Sequence, residues 1–534
     1  MDAYLERSNE KSFLNLIKTM LIEIEKDTKF KKSTLDALSI AYNKLSAEKQ
    51  ESCLEIIVQT LEDNYWVEIF LLATLLIHIK DKKIVYHIKK VLENPSYPLW
   101  ERLNDFLQLK IYLFTEPVLK QKYEKYQYFK GLYKSLLKEI SLRTNNLFYI
   151  PWDKRTRKIV IVASLILNIT HAPTKRIRYI YNCYKNMGYE VECFVCHIEG
   201  ICGYWHWVNK EICIKNFVDY SGKFCCDLDG IEIKVFNFSL NASDYMEQLN
   251  DALLRIWAER PEFVFEIGDE TILAGLCRPF TTVVTMGCTR DVPVTNAPII
   301  AVPSALSDDE QKHWKSVLED SVRVLEVSHN IHELDRQEQE VVYTKETFGI
   351  PEEAFVIVVA GNRLDVEIKE DFLLILYRLL ELDKHFVIAV IGECKKFQSK
   401  VASAVSADRI YFLGAQVYFK ETIAIGDVFL NPPRQGGGSG GLFAVMEGVP
   451  VITLDDCDVA ANVGEEFVCA SIEDMPSLVY KYFTDQHFMQ QQREYCKRQA
   501  ERRTGVNGEK NFWKLREAVR EYAVRWEEDK IDTF

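Results

Sequence analysis

The sequence predicts an α/β protein built from two doubly wound halves with parallel sheets, preceded by an all-helical domain. Three observations carry this. Over residues 1–142 apolar residues recur at three- and four-residue intervals, and proline and glycine are scarce. From Lys158 onward, short and fully apolar runs alternate with helical patterns, as buried parallel strands and their crossover helices do. The alternation then restarts near Ile350, so there are two such units.

The bulk properties narrow the class. At 534 residues the chain exceeds what one core organises, and roughly two to four domains are expected. Its 66 basic and 79 acidic residues leave a net charge of −13, which disfavours a nucleic-acid or anionic-membrane partner. The opening "MDAYLERSNEKS" is polar and lacks a secretory-signal pattern. The longest apolar run near the start, Ile69 to Ile79, is too short to span a bilayer and reads as a buried helix. A cytoplasmic protein without a transmembrane segment is expected.

The 14 cysteines then read as reduced thiols. Seven lie between Cys183 and Cys226, and Cys193 to His197 matches the C-x-x-C-H string of haem attachment. The surrounding "GYEVECFVCHI" alternates like a strand, and covalent haem attachment needs an exported chain, so buried thiols are favoured. A zinc cluster of Cys202, Cys213, Cys225 and Cys226 is the alternative.

In chain order, residues 1–142 form an all-helical domain of about six to eight helices, marked by "SFLNLIKTMLIEIEK", "STLDALSIAYNKLS" and "LYKSLLKEISL". No clean repeat period appears, so a solenoid is not indicated. Residues 143–157 are a linker. Residues 158–340 hold the first half: strand "KIVIVASLIL", helix "TKRIRYIYNCYKNMG", strand "YEVECFVCHI", a cysteine- and tryptophan-rich excursion to Asn237 that reads as a β-ribbon, then "MEQLNDALLRIWAER", "PEFVFEIG", "DETILAGLCR" and "FTTVVTMG". Residues 341–485 hold the second half, with strands "EAFVIVVAG", "HFVIAVIGE", "RIYFLG", "GDVFLNPP" and "GVPVITL". Residues 486–534 are closing helices.

The last strand-to-helix turn of that half, "NPPRQGGGSGGLFAVMEG", leaves an unusual length of bare backbone. A helix opening after a glycine turn offers unpaired amides and a favourable dipole to an anion, and glycine lets the ligand come close. Gly437, Gly438, Gly440 and Gly441 supply amides, and Ser439 adds a hydroxyl. The spacing fits neither a P-loop nor a G-x-G-x-x-G turn. In "VVAGNRLDVEIKEDF", Gly361, Asn362 and Arg363 follow another strand end, and Lys369 opens the next helix. Ligands of open α/β sheets bind at the carboxyl ends of strands, so these groups can share one crevice as a diphosphate clamp.

Residues Phe348 to Glu466 resemble the C-terminal half of GT-B glycosyltransferases, and Lys158 to Gly287 resemble the N-terminal half more weakly. The resemblance implies a GT-B fold of two Rossmann-like halves that close over a sugar nucleotide, usually a UDP-sugar. It implies that Arg363, Lys369 and the Gly436 to Gly441 turn hold the diphosphate, that Ala415, Gln416 and Val417 meet the base, and that Gln435 lies by the ribose. Many retaining members carry two glutamates where this chain has Gln435 and Phe443, and the gap from Arg363 to Lys369 is one residue longer than usual. The small residues before the helix, and the helical domain ahead of the pair, look more like the O-GlcNAc-transferase-type and adhesin-glucosylating bacterial enzymes. In the former an aspartate at the Phe443 position meets the ribose.

On that reading the chain is a hexosyltransferase acting on a polypeptide or surface glycan, with the nucleotide-sugar as co-substrate and no cofactor. No D-x-D stands in a suitable turn, so no metal is expected. His171, just past the first strand, and Asp269, at another strand end beside Glu270, are the candidate catalytic residues; Thr170 and Lys175 flank the histidine. Hydrogen bonding of His171 to backbone and helix capping by Asp269 are the structural alternatives. Trp205, His206 and Trp207 stack on a sugar or pack a hairpin. The helical domain suits acceptor docking or a homo- or hetero-oligomer contact. The competing function is a GT-B-shaped accessory protein without turnover; a nucleotide-sugar epimerase of the same fold leaves the helical domain without a role.

Overall fold

The structure, a computed structural model, describes residues 2–25, 32–61, 64–116, 118–119, 121–164, 166, 171–196, 222–237, 244–332, 341–402, 407–455, 457–504 and 507–531. Among the described residues the chain begins with seven helices: α1 (Asp2–Glu25), α2 (Lys32–Asn43), α3 (Ala47–Leu61), α4 (Tyr65–Ile79), α5 (Lys82–Glu93), α6 (Leu99–Thr115) and α7 (Lys122–Ser141). Local chemistry sets their ends. The Asn64 side chain accepts from Val67 N at the start of α4, and Asp81 accepts from Lys83 N at the start of α5. Between them Lys80 takes the left-handed region at φ 57°, and its amide closes α4 on Leu76 O. The apolar α4 is the buried hub of the bundle, with Ile69, Leu71, Leu72, Leu75 and Leu76 inside.

The first lobe carries an eight-stranded sheet. Its strands are β1 (Thr156–Ala163), β2 (Glu190–Val195), β3 (Gly222–Leu228), β4 (Ile231–Asn237), β5 (Pro261–Ile267), β6 (Val283–Met286), β7 (Ile299–Val302) and β8 (Arg323–Glu326). The order is β3-β4-β2-β1-β5-β6-β7-β8, parallel throughout except the antiparallel β3–β4 ribbon. That ribbon is the described part of the cysteine-rich excursion; His197, Cys202, Trp205, His206, Trp207 and Cys213 lie outside the described residues. The sequence reading stopped at β6. It missed β7, β8 and the helix Asp308–Val317: β7 is an apolar run closed in by Pro298 and Pro303, and β8 is half-exposed with charged ends. The helix itself carries a Ser307–Glu310 capping box.

The second lobe carries a six-stranded parallel sheet of β9 (Phe355–Ala360), β10 (Phe386–Ile391), β11 (Ile410–Gly414), β12 (Val428–Leu430), β13 (Val451–Leu454) and β14 (Val468–Cys469), in the order β11-β10-β9-β12-β13-β14. The two-residue β14 was not foreseen either.

Two features link the parts. The helical domain shares one continuous core with a face of the first sheet: Leu132, Tyr133 and Leu136 pack with Val160, Val162, Val264 and Ile272, and Gly275 lets Tyr133 and Leu137 close on the short helix Ile272–Cys277. The closing helices divide between the lobes. Gln486–Thr504 buries Met489 and Cys496 against the second lobe. Gly508–Ile531 returns to the first, where Phe512, Leu515 and Val519 join Tyr184 and Phe265, and Arg516 pairs with Glu262 at 2.9 Å. Among the described residues no helix is long and apolar enough to cross a membrane.

Candidate functional site

The carboxyl ends of the two sheets meet across a cleft. Beyond β6, Arg290 N donates to Asp458 Oδ1 at 2.9 Å, the latter just past β13. Lys175, beyond β1, and His332, beyond β8, meet Phe443 of the second lobe: the His332 and Phe443 rings lie 4.3 Å apart and the Lys175 ammonium stands 6.0 Å over the Phe443 ring.

In the second lobe the glycine turn is built on a chain of buried polar contacts. Asn431, at the end of β12, donates to Thr453 Oγ1 at 3.0 Å and accepts from Arg434 Nε at 2.8 Å. Arg434 Nη1 reaches Glu367 at 2.9 Å, and the other carboxylate oxygen of Glu367 receives Arg363 at 2.8 Å. Arg363 also donates to Gln435 O at 2.7 Å. Gly436 and Gly437 take φ of 81° and 77°, and the helix Gly438–Met446 opens behind them. Part of the bare backbone is therefore a packing requirement. A Cβ on Gly437 would stand 2.6 Å from Arg434 Nε, and one on Gly441 would stand 2.6 Å from Val459. Gly437→Ala is expected to cost about 2 kcal/mol of stability, from the left-handed backbone and the displaced guanidinium together. The urea midpoint reads this, and a wild-type midpoint would show that the turn relaxes freely.

Lys369 precedes the helix Glu370–Leu382 and pairs at 3.3 Å with Glu116, a residue at the end of α6. Asn362 is exposed. Ala415 and the 86 % exposed Val417 lie open past β11, and Gln416 donates back to Leu413 O. That loop is two strands away from β9, on the rim of the same sheet. The structure thus gathers Gly361, Arg363, Lys369, Gln435 and the glycine turn at one strand-end crevice, with the Ala415 to Val417 loop at its edge.

In the first lobe His171 stands at the N-cap position of the helix Ala172–Asn186 without a capping hydrogen bond, and its Nδ1 lies 3.0 Å from Thr174 Oγ1. Burial pulls its imidazole down to about 4. Asp269 is held from two sides: Lys110 of α6 pairs with Oδ1 at 2.6 Å, and Oδ2 accepts from Val294 N at 3.1 Å. The same ammonium stands 2.5 Å from Glu270, which is buried at a left-handed φ of 60°. Burial raises the Glu270 carboxyl to about 8 against the pull of Lys110. Asp269 therefore does not cap a helix; it anchors the helical domain to the strand end. Thr170 lies outside the described residues.

His329, stacked 5.3 Å from Tyr179 with Nδ1 2.7 Å from Val327 O, is pulled down to about 3, chiefly by burial and also by Arg176. A lowered histidine pKa favours folding above the ordinary 6.5 and is lost as pH falls through it toward the folded value. Acidification from pH 6.5 to 4 is expected to remove about 2–4 kcal/mol through His329. Urea unfolding of His329→Phe at both pH values is expected to show a smaller loss, and an equal loss would refute the assignment.

Sequence reading missed several contributors. Arg434 had a signal, a lone arginine two residues before the glycine run. Lys110, Phe114 and Glu116 had none, since their partners are remote in sequence: Lys110 and Asp269 are 159 residues apart, and Glu116 and Lys369 are 253 apart. Cys193 and Cys196 are buried thiols of β2 and its end, raised by burial. Among the described residues no group of three or more histidine, cysteine or acidic side chains is placed to hold a metal.

No protein-family model and no curated protein matches the chain. Solved structures do. The chain is similar to a mutant of the Thermobaculum terrenum O-GlcNAc transferase, at 13 % identity and a TM-score of 0.55, over 98 % of both chains. It is also similar to Anabaena HepE in complex with UDP, at 10 % identity and a TM-score of 0.47, over 68 % of this chain and all of the other. The architecture is the GT-B glycosyltransferase fold with a helical region ahead of the two lobes, and the first likeness extends across that region.

Proposed function

We propose that this protein is a glycosyltransferase that moves a hexosyl group from a UDP-sugar to a polypeptide or surface-glycan acceptor, without a metal ion, in a bacterial cytoplasm. The observation that carries the reading is the strand-end crevice where Gly436 and Gly437, both at positive φ, and the helix amides behind them face Arg363, with Lys369 on the neighbouring helix start. Helix amides and cations together stabilise a leaving diphosphate. Arg363, Lys369, Ser439 and the amides of Gly437 to Gly441 take the diphosphate, with Gly361 and Asn362 bordering it. Gln435 takes the ribose, and Ala415, Gln416 and Val417 take the base.

In the reaction the bond from the anomeric carbon to the β-phosphate oxygen breaks, and a bond to the acceptor oxygen forms. The acceptor proton passes to His171, whose imidazole burial keeps neutral. Asp269, tied to Lys110, holds the acceptor-side strand end in shape. The helical domain docks the acceptor or a second subunit.

A second reading has one specific observation behind it. Phe443 stands where the resemblance implies a carboxylate, and it packs against His332 and Lys175 rather than opening a polar contact. This favours an accessory protein that binds without turnover. Calorimetric titration with UDP, GDP and their sugar conjugates tests donor binding. Transfer of a labelled sugar from the nucleotide that binds then separates the readings. Binding without transfer or hydrolysis favours the accessory protein, and no binding of any nucleotide removes the glycosyltransferase reading.

A further inference from the structure

The end of α6 touches both lobes at the cleft. Lys110 reaches Asp269 and Glu270 in the first lobe. One turn later on the same helix face, Phe114 meets the second: the Arg363 guanidinium lies 5.2 Å over its ring, and its Cζ would be 3.5 Å from a Cβ on Gly436. Two residues further, Glu116 pairs with Lys369 at 3.3 Å and with Lys80 at 2.8 Å. One short segment of the helical domain thus meets both cations of the candidate diphosphate site: Phe114 lies against Arg363, and Glu116 pairs with Lys369.

We propose that this segment is a latch on the donor site: Glu116 occupies Lys369, and Phe114 covers Arg363 and Gly436, until a nucleoside diphosphate displaces them. The proposal rests on the reading of Arg363, Lys369 and the glycine turn as a diphosphate site. A phosphate approaching Lys369 competes with the Glu116 carboxylate for the same ammonium hydrogens and is repelled by its charge. Burial pushes the Glu116 carboxyl up, but the hydrogen bonds and charges of Lys80 and Lys369 outweigh that and hold it below the ordinary range, so it is charged at neutral pH. The shape of the segment suits release. Glu116 lies past the helix end, and its amide on Tyr112 O closes the last turn of α6, so release frays that turn alone and leaves the rest of the helix in place. Through α6 the latch is coupled to the helical core, and a partner that shifts the helical domain shifts the access of the donor.

The test is calorimetric titration of the full chain with UDP and with uridine, on wild type, Glu116→Gln, Arg363→Ala and Glu370→Gln. Glu370 neighbours Lys369 but pairs with Lys400 at 2.8 Å, so it controls for charge alone. Glu116→Gln is expected to bind UDP about three- to tenfold tighter with uridine unchanged, and Glu370→Gln to change UDP binding by less than about twofold. Amide exchange on wild type gives a second reading: saturating UDP is expected to speed exchange over Tyr112 to Glu116. Unchanged or weaker UDP binding by Glu116→Gln, with binding lost in Arg363→Ala, overturns the latch and leaves the donor site standing. Equal tightening in Glu370→Gln, or exchange that slows, also overturns it. Absence of UDP binding in every form overturns the donor site, and the latch with it.

Discussion

Arg363→Ala is expected to weaken UDP binding by about 1.5–3 kcal/mol, and Lys369→Ala by a similar amount, the scale of a lost charge-assisted hydrogen bond. The guanidinium has the position for it. Its Nη2 is fixed on Gln435 O at 2.7 Å and on Glu367 at 2.8 Å, so it is oriented before any ligand arrives. The fold is expected to tolerate the change. Glu367 keeps its second partner, Arg434, at 2.9 Å, and no buried carboxylate is stranded. Calorimetry therefore reads binding and not unfolding, and a near-wild-type melting temperature checks this. Unchanged affinity in both variants would sink the diphosphate assignment.

Lys110→Met is expected to destabilise the protein by about 2–4 kcal/mol at pH 8 and by clearly less at pH 5. The ammonium is the shared partner of Asp269 and Glu270, at 2.6 and 2.5 Å. Glu270 is buried, and its carboxyl already titrates near 8 instead of its ordinary 4.5. The sign follows. A carboxyl raised by folding binds its proton more tightly in the folded state, so its contribution to stability falls as pH rises from about 4.5 through 8. Without Lys110 the folded value rises further, and the loss grows toward alkaline pH. Urea unfolding of both proteins at pH 5 and pH 8 measures it. A cost that does not change with pH would show that Lys110 acts through packing alone.

The pair of predictions separates two kinds of residue that differ in how legible they were. Arg363, Lys369 and the glycine turn announced themselves, because each follows or opens an element whose apolar pattern is plain: "FVIVVA" before Gly361 and "VFL" before Asn431. Strand ends in such a sheet are where ligands collect, so local pattern sufficed to place them together. Lys110 and Glu116 stand in α6 among ordinary helical charges, and nothing local distinguishes them. Local pattern also fails for β7, which prolines enclose, for the half-exposed β8, for the two-residue β14, and for the division of the closing helices between lobes. The purpose of Gly437 is half legible: its freedom at positive φ follows from its type, but its accommodation of the Arg434 side chain is decided by tertiary packing.

What this sequence determined by itself is the alternation of the principal strands and helices, the parallel character of the two sheets and the glycine turn of the second lobe, since all three follow from short-range periodicity and from the backbone freedom of glycine. Only the tertiary structure decided who faces that crevice. The partners of Asp269, Arg363 and Lys369 come from a helix up to 253 residues away, brought there because α6 and α7 bury their apolar faces in the same core as the first sheet. Burial fixes where that helix lies, and its position then decides which charges meet.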